Sequence, residues 1–123
     1  MSSTALARVA DTLPASWWDR RRLKRVLRRA RTRKARLTFD MLLRRAHPIE
    51  PELLSMLLSL LVKRGLVRRK FLVEEDGRGL KKFDSIEEIF DSSEKRPPTV
   101  WDDVTEKEVE VSLDNLRVLY EFG

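Results

Sequence analysis

The chain has 123 residues with 26 Lys/Arg against 20 Asp/Glu and a formal charge of +6. That charge is divided: residues 1–73 hold 19 basic and 5 acidic side chains, whereas residues 74–123 hold 7 and 15. The absence of cysteine excludes disulfides, thiolate metal sites and cysteine nucleophiles. The longest apolar run, residues 53–62, is too short to span a bilayer and contains two serines.

Residues 1–15 are rich in Ser and Ala and carry a weak helical pattern (Leu6, Val9, Ala10, Leu13) that Pro14 brings to an end. They are read as a flexible N-terminal segment. A Ser/Ala-rich start followed by an Arg-rich amphipathic helix is similar to some mitochondrial transit peptides, but Asp11, Asp19 and the length of the basic run count against that. The expected setting is cytoplasmic, with a nucleoid-associated or nuclear one compatible and a mitochondrial one the minor alternative.

Ser16 suits an N-cap and Asp19 the positive end of the helix that follows. Residues 20–36 contain eleven cations and no acid: Arg20, Arg21, Arg22, Lys24, Arg25, Arg28, Arg29, Arg31, Arg33, Lys34 and Arg36. Leu23, Val26, Leu27 and Ala30 fall at i, i+3, i+4 and i+7, and Leu37 extends the line, so the pattern predicts a helix with a narrow apolar stripe. The basic side chains other than Lys34 cover the rest of the cylinder. Trp17 and Trp18 miss the stripe and fall on the face of Arg21, Arg25 and Arg28. Anchoring of the helix start against the domain is the expected role of the pair; stacking on unpaired bases or filling a partner's pocket is the alternative.

Thr38 is the next N-cap, ahead of a short apolar face of Phe39, Leu42, Leu43 and Ala46 that His47-Pro48 ends. Arg44 and Arg45 complement the dipole at its end. Pro51 opens a third helix and Gly65 closes it. On this helix Glu52, Ser55, Ser59 and Lys63 form a polar stripe about 80° wide on the 3.6-residue period. The remaining girth is apolar and calls for cover from the basic helix, the C-terminal strands or a partner, with Met56 and Leu60 as candidate partner contacts.

Residues 66–75 and 80–83 read as strands about the turn Asp76-Gly77-Arg78-Gly79. Ser85 and Glu88 form a capping-box pair for a short helix over residues 86–91. Residues 92–100 read as a loop. Trp101 is expected to close over the core, with docking on a partner as its alternative. Residues 108–112 and 116–122 alternate and flank the turn-like Asp114-Asn115, which predicts a C-terminal β-hairpin.

The order helix, helix, helix, strand, glycine turn, strand resembles a winged-helix domain over roughly residues 20–84. The resemblance is carried by residues 38–46, by residues 51–64, by Gly65-Leu66-Val67-Arg68-Arg69-Lys70 and by the Asp76-Gly77-Arg78-Gly79 tip. Leu61-Val62-Lys63-Arg64-Gly65-Leu66-Val67 is similar to a helix-end phrase common in that superfamily. It implies an α+β fold of three helices plus a β-hairpin wing, here with a basic N-terminal helix. The expected organisation is a flexible segment (1–15), a winged-helix domain (16–91), and an acidic loop with the C-terminal hairpin (92–123). Many such domains bind duplex DNA through the third helix and the wing, and others build protein assemblies.

This third helix offers two serines, an acid and a lysine where a base reader exposes Arg, Lys, Asn or Gln. Backbone contact through the basic helix is therefore expected instead, joined by a wing of Arg68, Arg69, Arg78, Lys81 and Lys82. Those wing cations read equally well as the solvated half of two ordinary strands. Phosphate contacts of this kind give affinity and register rather than sequence choice.

The chain is thus read as a non-catalytic subunit that meets DNA or RNA backbone inside a larger protein complex. The alternative is an adaptor whose basic helix lies in an acidic groove of a partner protein. A homodimer is compatible; a membrane, a small-molecule substrate, a cofactor and a metal are not expected. His47 stands without a catalytic companion, and Asp102, Asp103 and Glu106 match no defined metal spacing and read as a solvated acidic loop.

Overall fold

A computed structural model of the chain describes residues 3–90 and 97–123. The elements are α1 (Ser3–Asp11), α2 (Trp17–Thr32), β1 (Arg36–Thr38), α3 (Phe39–Arg45), α4 (Pro51–Lys63), β2 (Arg68–Glu75), β3 (Arg78–Phe83), α5 (Ile86–Ile89), β4 (Thr99–Asp102), β5 (Lys107–Glu110) and β6 (Leu116–Glu121). This is a mixed α+β chain with antiparallel pairing of β2 with β3 and of β4 with β5. Among the described residues, no helix is long and apolar enough to cross a membrane. The chain forms two compact units, Met1–Arg68 with Tyr120–Gly123, and Arg69–Leu119. The division falls at β2 rather than near residue 91, because β2 carries Val73 into a core of its own.

In the first unit α1 is a regular helix, not a flexible leader. Leu6, Val9, Ala10 and Leu13 are all buried, and α1 packs on both α2 and α4. The weak periodicity of residues 6–13 is this buried face. Arg20 then fastens the connection, its Nε and Nη2 donating to the Leu13 carbonyl at 3.2 and 2.8 Å, and Lys24 pairs with Asp11.

α2 begins as its caps predict, with the Ser16 hydroxyl accepting from the Asp19 amide at 3.2 Å. It buries Leu23, Val26, Leu27 and Ala30. It stops at Thr32, four residues before the end of the basic run. Lys34 takes a left-handed conformation (φ 49°), and the Ala35 amide reaches the Ala30 carbonyl at 2.9 Å, a Schellman-type ending with lysine where glycine is usual. Arg36 thereby enters β1, which lies beside the end of β6; the Phe122 amide donates to the Ala35 carbonyl at 3.0 Å.

The Thr38 hydroxyl accepts from the Met41 amide to open α3. α4 follows from Pro51 and closes on Gly65, whose φ of 72° is the left-handed value that favours glycine. Leu54, Leu57, Leu58 and Leu61 of α4 are buried.

The second unit is built on β2 and β3, joined by a two-residue turn. Asp76 and Gly77 both have positive φ, and Glu75 pairs with Arg78, the arrangement for which Asp-Gly is favoured. The Ser85 hydroxyl caps α5 by accepting from the Glu88 amide, while the Glu88 carboxylate accepts from the Asp84 amide. Val73, Ile89, Val100 and Val111 form the core, with Phe71, Leu80, Phe83, Val109 and Leu116 packed against it. Residue 91 of the expected helix and residues 92–96 of the expected loop lie outside the described residues.

The expected C-terminal hairpin does not form. β5 pairs with β4, which begins in the last two residues of the segment read as a loop, with Val100 opposite Val109 and Trp101 opposite Glu108. β6 instead neighbours β2, the Glu74 amide donating to the Asn115 carbonyl at 2.8 Å. Asn115 redirects the chain: its side-chain oxygen accepts from the Ser112 amide, and its Nδ2 donates to the Glu110 carbonyl. That turn separates β5 from β6 instead of folding one on the other.

Because α1 is part of the first core, Leu6→Ala is expected to destabilise the chain by about 2–5 kcal/mol. Urea unfolding measures this; a change within about 0.5 kcal/mol, as at a surface position, would show that α1 is dispensable.

Candidate functional site

The buried stripe of α2 dictates where its cations point. Arg22, Arg25, Arg29 and Arg33 follow one another at i, i+3, i+7 and i+11 and share a face beside that stripe. Together with Val26, Arg45 at the end of α3, and His47, they line a cleft of about 480 Å³. No carboxylate, hydroxyl or thiol joins that lining among the described residues.

Arg25, Arg29, Arg33 and Arg45 form no ion pair or side-chain hydrogen bond among the described residues. Arg22 meets only Asp19, at 3.5 Å on the same helix, with both side chains more than a third exposed. An exposed pair of this kind contributes little. Five guanidinium groups around one concavity repel each other and focus a positive potential into it, a repulsion that an anion in the cleft would relieve. Arg21 and Arg28 are exposed on the adjoining surface of α2.

Other cations of the basic run are engaged structurally. Arg20 and Lys24 tie α2 to the α1 connection as described above. Arg31 donates to the Phe122 carbonyl at 3.2 Å, and Arg36 pairs with the buried Glu121 at 3.2 Å. Lys34 is exposed at the helix end. Of the eleven cations, four line the cleft, four hold the fold, and Arg21, Arg28 and Lys34 are exposed outside both sets.

The wing cations are likewise divided. Arg68 is exposed, donating to the Gly123 carbonyl at 3.2 Å, and Arg69 is half-buried. Lys70 pairs with Asp84. Lys81, lying 4.9 Å over the Phe83 ring, and Lys82 are exposed.

Arg78, itself half-buried, is tied to a buried carboxylate. Its Nη1 and Nη2 donate to the two carboxylate oxygens of Asp102 at 2.8 and 2.7 Å, a bidentate pair. Asp102 is fully buried, not solvated as its acidic neighbourhood suggested. The Arg78 fork holds its carboxyl well below the usual carboxylate range; burial opposes this, and the Val104 and Thr105 amides reinforce it. The same pairing raises Arg78.

Most of the aromatic and apolar residues read from the sequence as candidate partner contacts are exposed. Trp17 and Trp18 are 58% and 70% exposed, with ring centroids 4.7 Å apart and planes at 79°, and the Arg21 guanidinium lies 5.2 Å from the Trp17 ring. They do not anchor the helix start in the core. Trp101 does not close over the core either, because the alternation of β4 turns Val100 and Asp102 inward and leaves Trp101 55% exposed. On α4, Met56 is exposed and borders a shallow groove with Phe39, Pro51, Glu52, Ser55 and Ser59, while Leu60 is half-buried.

Arg45 and His47 were not legible as site residues. Each had a sufficient local explanation, a helix dipole for one and a helix end for the other. No periodicity links them to residues 22–33; only the fold brings them to the same cleft. No protein-family model, curated protein or solved structure matches the chain.

The Arg78–Asp102 pair yields a pH signature. A carboxyl whose folded pKa is depressed stabilises above its unfolded value, 3.8 here, and loses that contribution as pH falls through the folded value. Asp102→Asn is expected to lower the urea midpoint at pH 7, with the deficit relative to wild type shrinking as pH drops below about 4. A deficit that is constant with pH would mean that the carboxylate charge is not what matters.

Proposed function

We propose that the chain is a non-catalytic nucleic-acid-binding subunit that holds phosphate backbone, without sequence preference, in the arginine cleft of α2, within a larger protein complex. The single observation that carries this reading is the cleft itself: five arginines converge on one concavity, and four of them have no anionic partner among the described residues. Guanidinium groups match phosphate oxygens in planar, bidentate geometry, which favours phosphate as the missing anion.

The winged-helix reading places α2, α3 and α4 as the three helices and β2, β3 and their Asp76-Gly77 turn as the wing. On that reading α4 would be the recognition helix. Its exposed residues are Pro51, Glu52, Ser55, Met56, Ser59 and Lys63, a poor set for base edges. The contact therefore moves to α2 and becomes a backbone contact. Of the wing cations, Lys81 and Lys82 remain outward, while Arg78 is held by Asp102. The proposal assigns His47 no catalytic part: the other residues lining the cleft are arginines and Val26.

Contact of Arg22, Arg25, Arg28, Arg29, Arg33 and Arg45 with phosphates would release about six counterions. The slope of log K against log salt is then about −5 on duplex and about −4 on single strands. Fluorescence anisotropy across a salt series measures it. Replacing Arg25, Arg29 and Arg33 together with Gln should flatten the duplex slope by about 2.5 to 3. Absence of binding at about 50 mM salt, where such contacts are strong, would sink the phosphate reading and leave the acidic protein groove as the alternative.

A further inference from the structure

The exposed tryptophans lie on the same helix as the cleft, and their spacing relates them to it. Trp18 precedes Arg22 by four residues, so Trp18, Arg22, Arg25, Arg29 and Arg33 form one line along α2 about 22 Å long. Arg22 lines the cleft, and Trp18 stands one turn, about 6 Å of rise, beyond it. Trp17 sets its ring edge to face with that of Trp18, and Arg21 lies over Trp17. Among the described residues no cation lies over the Trp18 ring, the most exposed of the three indoles.

We infer that the cleft takes single-stranded nucleic acid, with an unpaired base stacked on Trp18 while the following phosphates run along Arg22, Arg25, Arg29 and Arg33. The inference rests on the phosphate reading of the cleft and adds the strand state of its ligand. A single strand offers both complements at once, phosphates to the guanidinium line and a free π-face to the indole. A duplex offers the phosphates but keeps its base faces inside the stack. An acidic peptide offers charge without a series of planar faces. A positively charged groove that tracks the backbone, with an aromatic at its end, is the chemistry that binds single strands with little sequence preference. The indole does not choose between deoxyribose and ribose, so DNA and RNA are separate arms of the test.

Fluorescent oligothymidylate and oligouridylate of about 12 nucleotides, within usual single-strand site sizes, are titrated against a duplex of the same length and against polyglutamate. Trp18→Ala, Trp18→Phe and the triple Arg25→Gln, Arg29→Gln, Arg33→Gln variant are compared with the full wild-type chain. Trp18 is exposed, so its replacement should leave the urea midpoint unchanged.

Single strands should quench tryptophan fluorescence, and Trp18→Ala should weaken their binding roughly 5- to 100-fold, with duplex binding changed less than about twofold and Trp18→Phe restoring part of the loss. If Trp18→Ala changes single-strand and duplex binding equally, or neither, while the arginine variant weakens both, stacking is overturned and the phosphate reading stands. If neither nucleic acid binds, or polyglutamate binds as tightly as both, the phosphate reading falls and the stacking inference falls with it.

Discussion

The burial of one narrow stripe on α2 is the constraint from which the rest of the candidate site follows. Within Trp17–Thr32, eight pairs of cations stand three or four residues apart. At a few tenths of a kcal/mol each, their repulsion opposes the helix by on the order of 2–4 kcal/mol. Burial of Leu23, Val26 and Leu27 contributes on the order of 4–9 kcal/mol before the entropy of ordering is subtracted. The stripe therefore outweighs the repulsion, but only when other elements cover it. α2 is a helix because the first unit packs against it, and the orientation set by that packing aims each cation.

That orientation explains why residues of one type in one run behave differently. Arg20 and Arg31 fall where a backbone carbonyl lies within reach, and Lys24 and Arg36 where a carboxylate does. Arg22, Arg25, Arg29 and Arg33 fall along a concave surface that Arg45 and His47 also line. Among the described residues, the lining of this cleft comes from the first unit and contains no carboxylate. Several acidic side chains of residues 74–123 are spent within the second unit, where Asp102 holds Arg78, Asp84 holds Lys70 and Glu74 holds Arg117.

Much of the local structure was legible. Ser16, Thr38 and Ser85 cap the helices they precede, because a cap is a contact over three residues. The Asp76-Gly77 turn and the closing Gly65 were equally plain, since their positive φ values suit these residue types. The misreadings share a cause. α1 has an ordinary amphipathic pattern whose stability comes from α2 and α4, and Trp101 faces outward because β4 is a strand rather than a loop. Residues 108–112 and 116–122 each announced strand structure, yet alternation names a buried face and not the neighbouring strand.

By itself the sequence determined that α2 would be amphipathic, where its neighbours would begin and turn, and that α4 would lack the side chains for reading bases. These depend on contacts within a few residues and on the fixed periods of helix and strand. Tertiary structure alone decided which cations were left over, that Arg45 and His47 would line one cleft with arginines of residues 22–33, and that β5 would pair with β4. Those outcomes depend on which distant surfaces bury one another, and charge or periodicity along the chain carries no record of that choice.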